Sequence, residues 1–101
     1  MAQIKFVADA LKWFDRVNGN TYHSVRITRT DDGEVIACPF QYGYDDHYRQ
    51  TALEAMAKAG WLPKKYRQQN TTYLYERENA YPIHWTVSEA KKRETVEHGE
   101  K

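Results

Sequence analysis

The Asn18-Gly19 dipeptide constrains the fold of this chain more than any other feature. It separates two segments in which polar and apolar side chains alternate, and Asn-Gly in that position is the strongest short-range signal of a β-hairpin. We therefore predict strands over about residues 11–17 and 21–29. In the second strand, residues 23, 25 and 27 are expected to face the core, and residues 22, 24, 26 and 28 the opposite side.

The segment before this turn supports two interpretations. Within residues 4–17, apolar residues stand at helical spacing, whereas residues 13–17 alternate as in a strand. The turn favours a strand for 11–17, and the choice between helix and strand stays open for the earlier part.

A third strand and one helix follow. Asp31-Asp32-Gly33 is a turn signal, and residues 34–40 then place Ile36, Cys38 and Phe40 on one face. Because Pro39 cannot donate to a ladder, this strand is expected to end at a sheet edge. A helix is predicted over about 47–59, capped by Asp45 or Asp46 and closed by Gly60 and Pro63.

Two short alternating segments, 71–76 and 83–87, are predicted to be strands. Thr86–Glu89 resembles a capping box that would start a terminal helix ending near Gly99. The fold class is therefore α+β: an antiparallel sheet of about five strands in the order β-β-β-α-β-β-α, with one main helix packed on it. Residues 1–101 form a single domain, whose ends (1–10 and 98–101) are candidates for disorder.

Composition narrows the function classes. Apolar residues make up 41% and charged residues 29% of the chain, which is typical of a globular domain. We find no signal peptide and no apolar run long enough for a membrane span, and the single cysteine suits a reducing compartment; these features predict a cytoplasmic protein. The net charge of +1 is low for a nucleic-acid binder, since phosphate neutralisation supplies much of the affinity of such proteins.

The segment from 38 to 53 carries the strongest functional signal. It holds three tyrosines, a histidine and an arginine around one glycine, Gly43, which we expect to adopt positive φ or to permit a tight backbone approach. Rigid tyrosines beside Arg and His are typical of contact surfaces. With two residues of the hairpin, the predicted binding residues are Tyr22, Arg26, Tyr42, Tyr44, His47 and Arg49. Tyr48 is expected in the core, and Tyr42 is a candidate for both roles.

Catalytic and metal-binding constellations are weaker. His47 and Asp45 are close in sequence, but no His-x-x-x-His pair accompanies them, so no metal or cofactor is predicted. Cys38 lies on an apparent core face, where a thiol is inert. The chain is therefore predicted not to be an enzyme, and a small metal-dependent hydrolase is the minor alternative.

Three blocks of the sequence resemble a family of small uncharacterised proteins encoded by bacteriophages and prophages. These blocks are residues 18–26 (NGNTYHSVR), 39–48 (PFQYGYDDHY) and 77–84 (RENAYPIH), and the resemblance covers roughly residues 12–99. It implies no activity, cofactor or catalytic residue. It implies a context, namely a short phage accessory gene whose product acts on host or phage macromolecules.

The sequence thus predicts a non-enzymatic phage-type binding protein that docks a Tyr/Arg/His surface onto a host or phage protein as an inhibitor or modulator. The alternative partner is nucleic acid, bound by stacking tyrosines and a basic cluster at Lys64, Lys65 and Arg67. A homodimer is a further candidate, because the terminal helix is weakly amphipathic and a sheet edge is left over.

Overall fold

The computed structural model describes residues 4–43, 47–62, 72–79 and 82–100. Within them the chain forms four strands and three helices. In chain order these are β1 (Phe6–Asp15), β2 (Asn20–Arg29), β3 (Val35–Tyr42), α1 (His47–Lys58), α2 (Thr72–Glu78), β4 (Ile83–Glu89) and α3 (Lys92–His98).

The hairpin predicted at Asn18-Gly19 is confirmed. β1 and β2 pair antiparallel along their whole length, from Phe6 opposite Arg29 to Asp15 opposite Asn20. Gly19 has φ +71°, and its N–H donates to the carbonyl of Asp15 at 2.7 Å. β1 runs from residue 6 to 15 and not from 11 to 17, because residues 16–19 form the turn. The helical interpretation of the early segment is therefore wrong. Residues 6–10, within a stretch that we considered for disorder, are strand because their even-numbered side chains enter the core.

The α+β class is confirmed, but the sheet differs from the prediction. It has four strands in the order β3-β2-β1-β4, and β4 runs parallel to β1, from Ile83 beside Phe6 to Glu89 beside Lys12. The sheet is therefore mixed, and the prediction of about five antiparallel strands is wrong. A parallel partner requires a long crossover, which here contains α1 and α2.

The missing fifth strand is a helix. Residues 71–76 alternate in polarity, but Thr72–Glu78 forms α2. Its consecutive residues Tyr75 and Glu76 are both buried, whereas consecutive residues of a strand point to opposite faces. Six residues of alternation are too few to separate a strand from a helical turn, and tertiary burial decided between them.

Helices cover both faces of the sheet. The face that packs on α1 is the hydrophobic core, to which the strands contribute Phe6, Ala8, Ala10, Val25, Ile27, Cys38 and Ile83, and α1 contributes Tyr48, Ala52, Leu53 and Met56. Predicted core positions His23, Val25, Ile27 and Tyr48 are all buried. The opposite face packs on α3, so Ser24 is buried there although it points away from the core.

A β-bulge in β3 reverses the orientation of Phe40. Val25 lies opposite Cys38, but His23 lies opposite Gln41, so that Pro39 and Phe40 together face Ser24. The extra residue turns Phe40 onto the α3 side of the sheet. The prediction that Phe40 shares a face with Cys38 is therefore wrong, while the position of Pro39 on an edge strand is confirmed.

The last helix begins later than predicted. Thr86–Glu89 is not a capping box, because these residues continue β4 and pair with β1 as far as Lys12. Instead Lys91 is the N-cap of α3, and its N–H donates to Glu94 Oε1 at 3.1 Å. This is one half of a capping box, since the lysine ammonium has no acceptor with which to return the bond. None of the described helices is long and apolar enough to cross a membrane.

Candidate binding surface

Four aromatic side chains meet on the α3 side of the sheet, at the end where β1 and β3 finish. We call Trp13, Tyr22, Phe40 and Tyr42 the aromatic cluster. The ring centroids of Tyr22 and Phe40 are 5.0 Å apart and the rings are nearly parallel, at 10°. Trp13 lies 5.7 Å from Tyr22 and 6.3 Å from Phe40, and Tyr42 meets Tyr22 edge-on at 5.8 Å.

Strand register brings these rings together. Trp13 is the direct partner of Tyr22 in the β1–β2 ladder, and Tyr22 is the partner of Tyr42 in the β2–β3 ladder. Aromatic side chains at paired positions of one face contact one another. Phe40 stands two residues before Tyr42 and faces the same side of the sheet. The bulge between Cys38 and Phe40 puts this pair on the α3 side, opposite to Cys38.

The cluster is partly open to solvent. Tyr42 is 54% exposed, and Trp13, Tyr22 and Phe40 are partly buried. Lys92, the first residue of α3, holds its Nζ 5.5 Å from the Trp13 ring centroid, a cation–π arrangement that covers one ring face. The surface therefore offers mainly the Tyr42 ring and the outward edges of the others.

Of the predicted binding residues, the structure brings Tyr22 and Tyr42 together. Arg26 instead lies under α3, where its Nη1 donates to the carbonyls of His98 at 3.4 Å and Glu100 at 3.0 Å. These carbonyls are at the end of α3, so Arg26 satisfies acceptors that the helix leaves open.

Arg49 also serves the fold. Its Nη1 lies 3.6 Å from Oε2 of Glu76, whose side chain is 5% exposed, and its guanidinium lies 5.1 Å from the ring centroid of Trp85. The Trp85 Nε1–H donates to Oε1 of the same carboxylate. Arg49 thus compensates a buried charge and joins α1, α2 and β4.

His47 lies at the start of α1, beside buried His23, with ring centroids 5.5 Å apart. His23 Nδ1–H donates to the carbonyl of Gly43 at 3.2 Å, and its Nε2 accepts from the Thr51 hydroxyl at 2.9 Å. A Cβ on Gly43 would lie 2.6 Å from His47 Cδ2 and 2.7 Å from His23 Cε1. Gly43 therefore allows the close approach that we predicted, through side-chain proximity and not through positive φ.

Other predicted residues fall outside the described parts of the chain. These are Tyr44, the capping candidates Asp45 and Asp46, and the alternative nucleic-acid set Lys64, Lys65 and Arg67.

Two members of the cluster, Trp13 and Phe40, were not predicted as binding residues. For Trp13 the Asn-Gly signal pointed elsewhere. A two-residue turn at Asn18-Gly19 would pair Tyr22 with Asp15, whereas the observed turn spans residues 16–19 and pairs Tyr22 with Trp13. For Phe40 the only local hint was Pro39, since proline within a strand is commonly found at a bulge.

A groove of about 980 Å³ opens beside Trp13, where β1 extends past the end of β4. Its lining is mixed in charge, with Lys12, Arg16 and Lys91 against Glu89 and Glu94. Three cations against two carboxylates give this surface a slight positive excess.

Chemistry typical of an active site is weak in the described residues. They contain no group of three or more His, Cys, Asp or Glu side chains placed to hold a metal ion. Cys38 is 3% exposed, and burial raises the pKa of its thiol to about 11, which keeps it protonated and a poor nucleophile.

Comparison with known proteins gives no match: no family model, no curated protein and no solved structure is significantly similar to this chain.

Proposed function

We propose that this protein is a non-enzymatic binding module that docks the aromatic cluster onto a partner protein. The observation that carries the proposal is the packing of Trp13, Tyr22 and Phe40 on one another beside an exposed Tyr42. A rigid aromatic patch buries area on binding at low entropic cost, because its side chains are already ordered.

The ring arrangement favours protein over single-stranded nucleic acid. Base stacking needs ring faces that are open to solvent. Tyr22 and Phe40 turn their faces toward each other, and Lys92 lies over a face of Trp13. The cluster therefore presents a compact apolar knob with polar tips, which suits a pocket on another protein, and the net charge of +1 adds little attraction for phosphate.

The resemblance to phage proteins supports a partner in a bacterial cell, and we propose a host or phage protein in the cytoplasm. Inhibition or modulation of that partner is the role we propose, because this domain offers a contact surface and no evident reaction centre among its described residues.

The test is affinity purification of the tagged protein from a bacterial lysate, washed first at low and then at high salt. Wild type, Tyr42→Ala and Val35→Ala are compared. Val35 is a matched control: it is 39% exposed, and it lies in the same strand at the end away from the cluster. We expect a protein that survives high salt with wild type and Val35→Ala, and whose recovery falls about tenfold or more with Tyr42→Ala.

Two outcomes would contradict the proposal. A partner retained equally by all three forms would mean that the cluster is not the contact surface. Nucleic acid that is captured at low salt and released at high salt would favour the alternative function, since counterion release makes that binding strongly salt-dependent.

A further inference from the structure

β4 is an edge strand whose main chain is presented outward. The sheet order ends at β4, and the side chains of His84 and of residues 86–89 are exposed. The Ala90 N–H donates to the Lys12 carbonyl at 2.8 Å, and the Phe6 N–H to the Pro82 carbonyl at 3.2 Å. Even-numbered main-chain groups therefore face β1, and those of the odd-numbered residues 83, 85, 87 and 89 point away from the sheet.

The two edges of the sheet differ in protection. At the β3 edge, Pro39 removes a donor and the adjacent bulge interrupts the strand, which are two of the devices that keep edges from pairing. β4 has neither: its seven residues, IHWTVSE, contain no proline or lysine, and its register with β1 is uninterrupted. Among the parts of the chain that the structure describes, this difference marks β4 as the edge with which another strand can pair.

We propose that β4 pairs antiparallel with β4 of a second copy, across a two-fold axis at Thr86, so that two four-stranded sheets become one. This dimer is independent of the proposed function, because it uses the edge of the sheet and leaves the aromatic cluster free. With the two-fold axis at Thr86, the two β4 strands overlap along their whole length. The outward main-chain groups of one copy then meet those of the other.

Side-chain pairing supports this register. It places Trp85 opposite Val87 of the second copy, Thr86 opposite Thr86, and His84 opposite Ser88. Aromatic–β-branched and Thr–Thr pairs are among the favourable cross-strand combinations. Glu89 falls opposite Ile83, so no like charges oppose each other. Val87, which is 46% exposed in the single copy, gains an apolar neighbour.

The predicted dimer is weak. Strand pairing alone buries less than the roughly 1,200 Å² of a standard interface, so we expect a dissociation constant on the order of 10 µM. The natural measurement is sedimentation velocity over a concentration series that extends to about 500 µM, well above that constant.

Two substitutions at one position test the hydrogen-bonding edge. Val87→Pro removes an outward N–H and leaves the ladder with β1 intact, whereas Val87→Thr keeps the N–H and the β-branched shape. We expect wild type and Val87→Thr to dimerise as the protein concentration rises. Val87→Pro should stay monomeric up to concentrations at least tenfold above those at which wild type dimerises. A wild type that is monomeric throughout would overturn the proposal, as would a folded Val87→Pro variant that dimerises normally.

Disulfide trapping tests the register and does not depend on the proline variant folding. Thr86 would face its own copy in a non-hydrogen-bonded pair, with Cα atoms about 4.5 Å apart, a separation that a disulfide can span. Ser88, exposed on the same face, would lie about 13 Å from its copy along the strand. Buried Cys38 contributes little background. Under mild oxidation we expect Thr86→Cys to cross-link at least tenfold faster than Ser88→Cys; equal rates, or no cross-link in Thr86→Cys, would overturn the register.

Discussion

His23 Nε2 lies 2.9 Å from the hydroxyl of Thr51, and this contact joins the middle of β2 to α1 inside the core. The other ring nitrogen, Nδ1, is 3.2 Å from the carbonyl of Gly43. Both ring nitrogens are thus paired, and burial is the main cause that lowers the pKa of His23 from the ordinary 6.5, which favours the neutral imidazole.

This arrangement predicts that stability falls in mild acid. Because the folded-state pKa is the lower one, the unfolded chain binds a proton more readily. The contribution of neutral His23 is complete above about pH 6.5 and is lost as pH falls below that value. Urea unfolding at pH 7.5 and pH 5 should show lower stability at pH 5, and His23→Gln should reduce the difference. His84→Gln, at an exposed position, is the control and should keep it; an unchanged difference in His23→Gln would refute the assignment.

Arg49→Ala should destabilise the fold strongly, because it leaves the Glu76 carboxylate buried without its cation. We expect a loss of roughly 2–4 kcal/mol in the free energy of unfolding, somewhat below the full buried-pair range since Arg49 is 28% exposed. Arg93→Ala is the matched control: its pair with Glu97 is on the surface, with side chains 88% and 64% exposed, and its loss should cost close to nothing. Similar effects of the two substitutions in chemical denaturation would contradict this account.

Ser24→Ala should be neutral or stabilising. Ser24 Oγ is buried under α3 and has no hydrogen-bond partner among the described groups, and a buried unsatisfied hydroxyl costs about 1–3 kcal/mol. We expect a gain of up to about 1 kcal/mol in the free energy of unfolding. Thr95→Val is the contrast, because the Thr95 hydroxyl donates to the Lys91 carbonyl at 2.9 Å and its removal should cost about 1 kcal/mol. Destabilisation by Ser24→Ala would show that the hydroxyl is satisfied by water.

The Cys38 thiol should be unreactive while the protein is folded. With its pKa raised to about 11 by burial, the thiolate fraction at pH 8 is on the order of one in a thousand, and access is limited as well. A colorimetric disulfide reagent should label wild type only after urea unfolding, whereas the exposed Thr86→Cys variant should react at once. Rapid labelling of native wild type would show that the thiol is accessible.

Gly99→Ala should weaken the attachment of α3. A Cβ at this position would lie 2.8 Å from the carbonyl oxygen of Cys38 and 2.9 Å from the main-chain nitrogen of Phe40. Main-chain atoms of a paired strand cannot move aside cheaply, so we expect a loss of roughly 1–3 kcal/mol in thermal or urea unfolding. Gly33→Ala is a useful contrast: its cost would come from φ +74° in open space, and it should leave the contact of α3 with the sheet unchanged.

Local patterns succeeded where one signal dominated a short segment. Asn18-Gly19 predicted the hairpin because few residues adopt the backbone conformation that a tight turn requires. The main helix was predicted over 47–59 and is observed over His47–Lys58, because the spacing of its apolar residues and Gly60 at its end both indicated a helix. The burial of His23 followed from strict alternation in β2. Of the candidate surface, Tyr22 was named on the non-core face of the hairpin and Tyr42 beside the loop that leads to the main helix, and their role in binding stays a prediction.

The amino-acid sequence by itself determined the α+β class, the hairpin, the main helix and the core face of β2, since each depends on residues that are close along the chain. Only the tertiary structure decided that 72–78 is helix, that β4 lies parallel to β1, that Arg26 and Arg49 support the fold, and that Phe40 joins Trp13 and Tyr22. The physical reason is common to these cases. Each depends on contacts between segments that are distant in sequence, and burial, ion pairing and strand register between such segments can outweigh the local preferences of a few residues.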